Sequence, residues 1–290
     1  MLKVISDDCS ALNSIIIFDN SIENYYKERI DKTMKEMQEF WKGHKRIILI
    51  RHDQNIGLSK AYNESVKIAV NMGFQFVLIL DQDSLITSDS LRIIVRDYNT
   101  LLKKGVLVGA ISMNNVNNFY TPISFLFNGK FKWKGFYYSN NVQEKRNLIN
   151  SGMLIPIENF NMINGYDESF FLDNSDLEFT LRLRSKNMRL FESCSAKISV
   201  NYKETQHDYL IASLPFRKPE REYFVKDLVR CLPVAYKVSK IDMLLVVLLI
   251  ISKLFGILII KNNRKKRFTF ILSGIKEGIR SILKRNAIVP

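Results

Sequence analysis

Two carboxylates, Asp81 and Asp83, follow directly on the apolar run Phe76-Val77-Leu78-Ile79-Leu80. A buried strand that ends in paired acids delivers them where open α/β sheets bind ligands, outside the carboxyl ends of the strands. Hard oxygen donors at this spacing suit Mg²⁺ or Mn²⁺, which are held by one or two carboxylates and completed by substrate phosphates. The competing reading is turn chemistry alone, since aspartate also favours loops and caps. A second acidic cluster, Asp173-Asn174-Ser175-Asp176-Leu177-Glu178, precedes a helical pattern through Phe179, Leu181, Arg182 and Leu183. Asp173 or Ser175 would cap that helix, placing Asp176 and Glu178 in a first turn where the macrodipole favours carboxylates. Alternatively, one of these acids faces the cleft of Asp83 as a general base, within hydrogen-bond reach of an attacking hydroxyl.

The elements that must position these residues are legible as alternating apolar runs and helical stretches. Strands are expected at Ser14 to Phe18, Arg46 to Ile50, Gln75 to Leu80 and Val106 to Ile111. Helices are expected at Tyr25 to Phe40, Leu58 to Met72 and Ser88 to Lys103, the last two stopped by Gly73 and Gly105. Such alternation predicts parallel strands with crossover helices, covered on both faces. After residue 112 the pattern loosens into Asn-rich and aromatic sequence that reads as a long loop or hairpin, and order returns at Leu148.

With 290 residues, 47% hydrophobic and 11% aromatic, the chain has ample material for a packed core. Cys9, Cys194 and Cys231 are widely spaced without a CxxC pair, which argues against a disulfide framework or a zinc site. The opening Met1 to Asp8 turns acidic before an apolar signal segment develops. The net charge of +14 is not evenly spread: residues 217–290 carry 17 Lys/Arg against 5 Asp/Glu, and the first 216 carry 26 against 24. That basic segment also holds the longest apolar run, Met243 to Ile260, followed by Lys261-Asn262-Asn263-Arg264-Lys265-Lys266-Arg267. Apolar helix with polybasic flank implies a membrane surface rather than nucleic acid as the partner of residues 241–267. Eighteen residues make about 27 Å against a hydrocarbon core of about 30 Å, and Lys253 sits mid-run. The run therefore reads first as an interfacial or shallowly inserted helix, with one transmembrane helix as the alternative.

Several blocks occur in a telling order: Asp19-Asn20-Ser21, Asn55-Ile56-Gly57-Leu58-Ser59-Lys60-Ala61-Tyr62-Asn63, Asp81-Gln82-Asp83-Ser84, Asn150-Ser151-Gly152, and Gly165-Tyr166-Asp167-Glu168-Ser169-Phe170-Phe171-Leu172-Asp173 running on to Glu178. Together they resemble the family 2 inverting glycosyltransferases, and within them the rhamnosyltransferase group of bacterial surface-polysaccharide and O-antigen assembly. The resemblance spans about residues 14–185. It implies an α/β chain of GT-A fold, a three-layer α/β/α sandwich lacking its first strand over residues 1–205; charge and the apolar run add a basic, helical, membrane-associating region over 206–290. It implies that Asp19 holds the nucleotide base and ribose, that Asn55, Gly57 and Lys60 line the nucleotide pocket, and that Asp81 contacts ribose or diphosphate. Asp83 would bind Mg²⁺ or Mn²⁺, Asp176 would be the catalytic base, and Arg182 would match the arginine about one turn beyond it. The implied partners are a nucleoside-diphosphate sugar, by family tendency dTDP-L-rhamnose, and a lipid-linked saccharide at the cytoplasmic face of the inner membrane.

The chain departs from the family pattern in identifiable places. The usual first strand with its Tyr-Asn-like ending is missing, which predicts unpaired edges on its neighbours and an open side to the nucleotide pocket. Neither Asn201 nor Tyr202 is the histidine usual near that position, and His207 is late. Arg221-Glu222-Tyr223-Phe224 resembles an Arg-x-Tyr-Tyr block, with Lys226-Asp227 where Arg-Asn is common. Competing readings are an inactive membrane-bound scaffold derived from such a transferase, and a sugar-nucleotide pyrophosphorylase. The latter should carry a Gly-rich N-terminal phosphate loop, which this sequence does not show.

Overall fold

The computed structural model describes residues 14–41, 46–116, 132–200, 219–259 and 263–288. The chain begins with β1 (Ser14–Asp19), α1 (Asn24–Trp41), β2 (Arg46–Arg51), α2 (Leu58–Asn71), β3 (Phe76–Ile79), β4 (Ser84–Ile86), α3 (Ser88–Lys103) and β5 (Val108–Asn115). It continues through β6 (Val142–Lys145), β7 (Met153–Pro156), α4 (Ile157–Met162), α5 (Ser175–Ser185) and β8 (Arg189–Val200). A 3₁₀ turn at Pro219–Phe224 leads into α6 (Val225–Val238), α7 (Lys240–Ile259) and α8 (Arg264–Ile288).

The main sheet runs β3-β7-β5-β8-β4, with β6 also pairing β8. Successive residues point to opposite faces, as the period of two requires. Val77, Ile79, Ala110, Met153, Ile155 and Leu190 pack with residues of α2, α4 and α5 on one side. Phe76, Leu78, Ile111, Leu154 and Phe191 pack with Leu91, Ile94, Tyr98 and Leu101 of α3 on the other. This is a three-layer α/β/α arrangement. The expectation of an all-parallel sheet needs correction: β1 pairs β2 and β5 pairs β8 in parallel, but β7 is antiparallel to both β3 and β5. Period 2 in a strand carries no direction, so the sequence pattern could not show this reversal.

Among the described residues the second sheet consists of β1 and β2. Among the described residues β1 pairs only β2 and β3 pairs only β7. Ile16 of β1 and Val77 of β3 nevertheless pack against the same apolar cluster as α2. Among the described residues each of these two strands therefore has one edge without a strand partner.

The C-terminal helices share a core with α5. Phe170, Leu177 and Leu181 are buried with Val225, Leu228, Cys231 and Ala235 of α6, Leu245, Val246 and Ile257 of α7, and Ile271 of α8. A buried ion triad fastens α7: Asp242 accepts from Arg146 Nη1 (2.9 Å) and from Arg184 Nη1 and Nη2 (2.6 and 3.1 Å). Burial raises the proton affinity of Asp242, but hydrogen bonds from Arg184 and Ser239, with the charges of Arg184 and Arg146, hold its pKa below the ordinary 3.8. A depressed carboxyl contributes stability present above its unfolded pKa and lost as pH falls through the folded one. Asp242→Ala leaves two buried guanidinium groups without their anion, and urea unfolding is expected to show a loss of about 3–5 kcal/mol at neutral pH.

Among the described residues no helix is long and apolar enough to cross a membrane. The spanning alternative for residues 243–260 is thereby corrected. Much of the circumference of α7 is committed to packing against α5 and α6, and the helix carries buried Asp242 and exposed Lys253.

Candidate active site

The turn after β3 closes through Ser84 N–H to Asp81 O (3.1 Å), with Gln82 and Asp83 exposed at its tip and Asp81 half-buried. Ser151 fixes this turn from the turn that leads into β7: its hydroxyl hydrogen-bonds that of Ser84 and accepts from Asp81 N–H at 3.5 Å. Burial, and then the charge of Asp83, raise the pKa of Asp81 above 3.8. The hydroxyl of Tyr62, on α2, makes a long contact of 3.4 Å with Asp81 Oδ1.

Asp176 stands in the first turn of α5. The expected cap is corrected: Asn174 is the N-cap, in the left-handed region at φ 64°, and no side chain caps the helix. A left-handed asparagine ends the preceding loop sharply, so the helix starts one residue after Asn174 with Asp176 and Glu178 in its first turn. Burial raises the pKa of Asp176 to about 6, aided by the charges of Asp81 and Asp173 and opposed by its own hydrogen bond from Leu177 N–H (2.8 Å). A carboxyl with that affinity is mostly ionised at neutral pH and is matched to proton abstraction. Glu178 has a different task. It is buried and receives Arg182 Nε and Nη2 as a fork (2.6 and 2.7 Å), and Arg182 Nη1 also donates to Ile163 O. Arg182 thus braces α5 and is not available to a ligand.

Two acids 95 residues apart in sequence come together because α2 is stitched to the loop before α5. Asn63 Nδ2 donates to Tyr166 O (2.9 Å) and its Oδ1 accepts from Tyr166 N–H (2.8 Å). Ser59 Oγ donates to Phe170 O (2.6 Å), and Leu58 N–H donates to Phe171 O (2.7 Å). Tyr166 stacks on Phe179 at 4.2 Å and donates its hydroxyl to Asn150 Oδ1 (2.7 Å). One of the expected nucleotide-pocket residues, Gly57, lies at this seam. Gly57 precedes α2 at φ 85°, and a Cβ there would meet Phe171 Cδ2 at 2.7 Å and Phe171 O at 3.0 Å. Gly57→Ala therefore combines left-handed strain with a clash against the loop that carries Asp173; a lower Tm and weaker nucleoside-diphosphate binding by calorimetry are the expected results.

Asn55 is exposed and accepts Gly57 N–H at 2.9 Å, and Lys60 is half-buried on the first turn of α2. Asp19, at the end of β1, is buried, with Oδ1 accepting from Ser21 N–H (3.0 Å) and Oδ2 from Arg51 Nε (2.7 Å). Its pKa is lowered: burial pushes it up, but those hydrogen bonds and the charge of Arg51 outweigh burial. Sequence reasoning gave no role to Asn20, which joins the two blocks: its amide accepts from Ile56 N–H (3.1 Å) and donates to Gly57 O (3.3 Å). Nor did it find Tyr62, Asn63 and Tyr166, whose polar groups look like ordinary core decoration until the long-range partners are known. Arg221, in the Arg-x-Tyr-Tyr-like block, reaches Asp173 Oδ1 at 2.9 Å. Asn201, Tyr202 and His207 lie outside the described residues.

Among the described residues no three His, Cys, Asp or Glu side chains converge to make a metal cage. The donors present fit a hard cation shared with a substrate. Asp83 offers an exposed carboxylate and Asp81 lies near enough to feel its charge, and Mg²⁺ or Mn²⁺ takes its remaining ligands from phosphate oxygens and water.

The comparisons with known proteins agree with this geometry. Residues 3–155 match glycosyl transferase family 2, more than half of the chain, and the protein belongs to that family. Among solved structures, S. aureus TarS 1-349 aligns over 98% of this chain and 85% of its own, at 12% identity and a TM-score of 0.51. The full S. aureus TarS structure aligns over 94% and 52%, at 13% identity and a TM-score of 0.46. GalNAc-T7, solved with UDP, GalNAc and Mn²⁺, aligns at 14% identity and a TM-score of 0.45, and the match covers 64% of this chain and 37% of that one. A search of curated protein sequences finds no match. The fold is that of GT-A glycosyltransferases.

Proposed function

We propose that the protein transfers a sugar, L-rhamnose as the first choice, from a nucleoside-diphosphate donor to a saccharide hydroxyl with inversion at the anomeric carbon. The observation that supports this most is the nearness of Asp176 to Asp81: a half-buried carboxyl whose pKa is raised to about 6, first by loss of water around it, lies close enough to Asp81 to feel its charge. Asp176 removes the proton from the acceptor hydroxyl as that oxygen attacks the anomeric carbon from the side opposite the leaving diphosphate. Asp81 contacts the ribose or diphosphate, and Asp83 would hold a divalent cation. Such an ion, when bound, neutralises charge on the departing nucleoside diphosphate. Asp19 with Asn55, Gly57 and Lys60 forms the nucleoside end of the pocket, and a lipid-linked saccharide is the acceptor.

The donor assignment is tested by comparing dTDP-L-rhamnose with UDP-hexoses in an assay of nucleoside-diphosphate release, using a membrane lipid extract as the acceptor source. Faster release from dTDP-L-rhamnose is expected. Preferential use of a UDP-hexose would replace the sugar while leaving the roles of Asp176 and Asp83 intact. Absence of release from every donor, with nucleotide binding retained, would favour the inactive-scaffold reading.

A further inference from the structure

We propose that the outward face of α8 is a docking surface for an anionic phospholipid bilayer, a step beyond the transfer reaction and independent of its donor. The rotation of α8 about its axis is set by two glycines. A Cβ at Gly274 would lie 2.5 Å from Tyr223 O, and one at Gly278 would lie 2.7 Å from Val229 Cβ. Only a side chain reduced to hydrogen allows this approach, so Gly274 and Gly278, with buried Arg267 and Ile271, must face α6 and the 3₁₀ turn before it.

What that rotation turns outward is apolar. Phe268, Leu272, Ile279 and Leu283 are 49%, 49%, 48% and 62% exposed. At 3.6 residues per turn they fall within about 60° of arc, roughly 120° from the glycine face. Large side chains scattered singly over a surface need no explanation, but four in one stripe form a continuous ridge. Exposed Lys265, Lys276 and Arg280 flank this ridge on the side away from the packed face. Arg280 also meets Glu277 loosely at 3.9 Å, and Glu277 is the sole acid of α8. α7 presents a second exposed stripe in Ile241, Leu244, Ile251 and Phe255, and Lys253 lies on the opposite side of that helix, so it does not interrupt the stripe.

Apolar residues beside cations, with the acids turned away, match a lipid surface in which acyl chains lie beneath anionic headgroups. A second copy of the chain is a poor occupant, since two such ridges face to face would oppose Lys265, Lys276 and Arg280 with their own kind. The surface also differs from the one the apolar run of the sequence suggested. Much of residues 243–260 is spent on the protein core, and the amphipathic face falls largely on the helix after it.

The test uses the full chain sedimented with phosphatidylcholine vesicles, with and without phosphatidylglycerol. Binding is expected only with phosphatidylglycerol, and salt should release it. Two triple variants, F268S/L272S/I279S and K265E/K276E/R280E, change exposed positions and should keep the wild-type circular dichroism spectrum. Each should weaken vesicle binding by about tenfold or more. Equal binding by either variant, binding independent of phosphatidylglycerol, or a wild-type dimer in light scattering that the variants lose would each overturn the proposal. Nucleoside-diphosphate affinity should be unchanged in both variants, so failure of lipid docking and failure of the transferase reading are separable.

Discussion

Asp176→Asn is expected to lower sugar transfer by about 10²- to 10⁴-fold while donor affinity, read by calorimetry, stays close to that of the native protein. The exchange keeps an oxygen able to accept Leu177 N–H and removes only the ability to take a proton. Turnover of the native protein should rise with pH through about 6 and then level, because Asp176 works in its ionised form and burial holds its pKa there. The same variant should be more stable than the native protein. A carboxyl whose folded pKa is raised adds stability that is fully present below its unfolded pKa, near 4, and is lost as pH rises through about 6. The stability difference between variant and native protein should therefore open between about pH 4 and 6 and persist above. At neutral pH it should reach on the order of 2 kcal/mol, read as a higher Tm or urea midpoint. Asp227, also buried and raised to about 6, contributes a loss in the same window to both proteins and leaves the difference unchanged. Retained turnover, or a variant no more stable than the native chain at pH 7, would remove Asp176 from this role.

Asp83→Ala should behave in the opposite way. Asp83 is exposed at the tip of the turn, so its removal costs the fold little, and an unchanged Tm is expected. In the presence of Mn²⁺, affinity for a nucleoside diphosphate should fall by at least about tenfold, since a charge-assisted metal link to the phosphates is lost. Without added metal the two proteins should bind alike. Equal affinity in Mn²⁺ would sink the assignment of the metal to Asp83.

Most of the first half of the fold was legible because its signals are local. The runs at residues 14–18, 46–50 and 76–80 form β1, β2 and β3 within a residue or two, and α1, α2 and α3 stand where period 3.6 placed them. The short β4, the antiparallel β6 and β7 and the long β8 were not read. Their pairing depends on partners far along the chain, such as Leu154 against both Leu78 and Ile111, and period 2 carries no direction. The acids were legible too, as residue types at telling spacings after a strand and before a helix.

Their division of labour was legible only through the family resemblance, which singled out Asp176. The residue types alone leave Asp173 as a candidate cap and Asp176 and Glu178 as two first-turn carboxylates, and the fold supplies the physical difference between them. Glu178 is neutralised by the fork of Arg182, Asp173 by Arg221, and Asp176 lies close enough to Asp81 to feel its charge. The C-terminal segment divides in the same way. Its basic, apolar composition indicated a membrane surface, but which side chains remain outside the core follows from Gly274 and Gly278 against α6. Composition and spacing are properties of neighbours along the chain. Burial, pKa and exposure are set by atoms that arrive from elsewhere, and here those atoms decide which acid ionises at the right pH and which apolar face stays free.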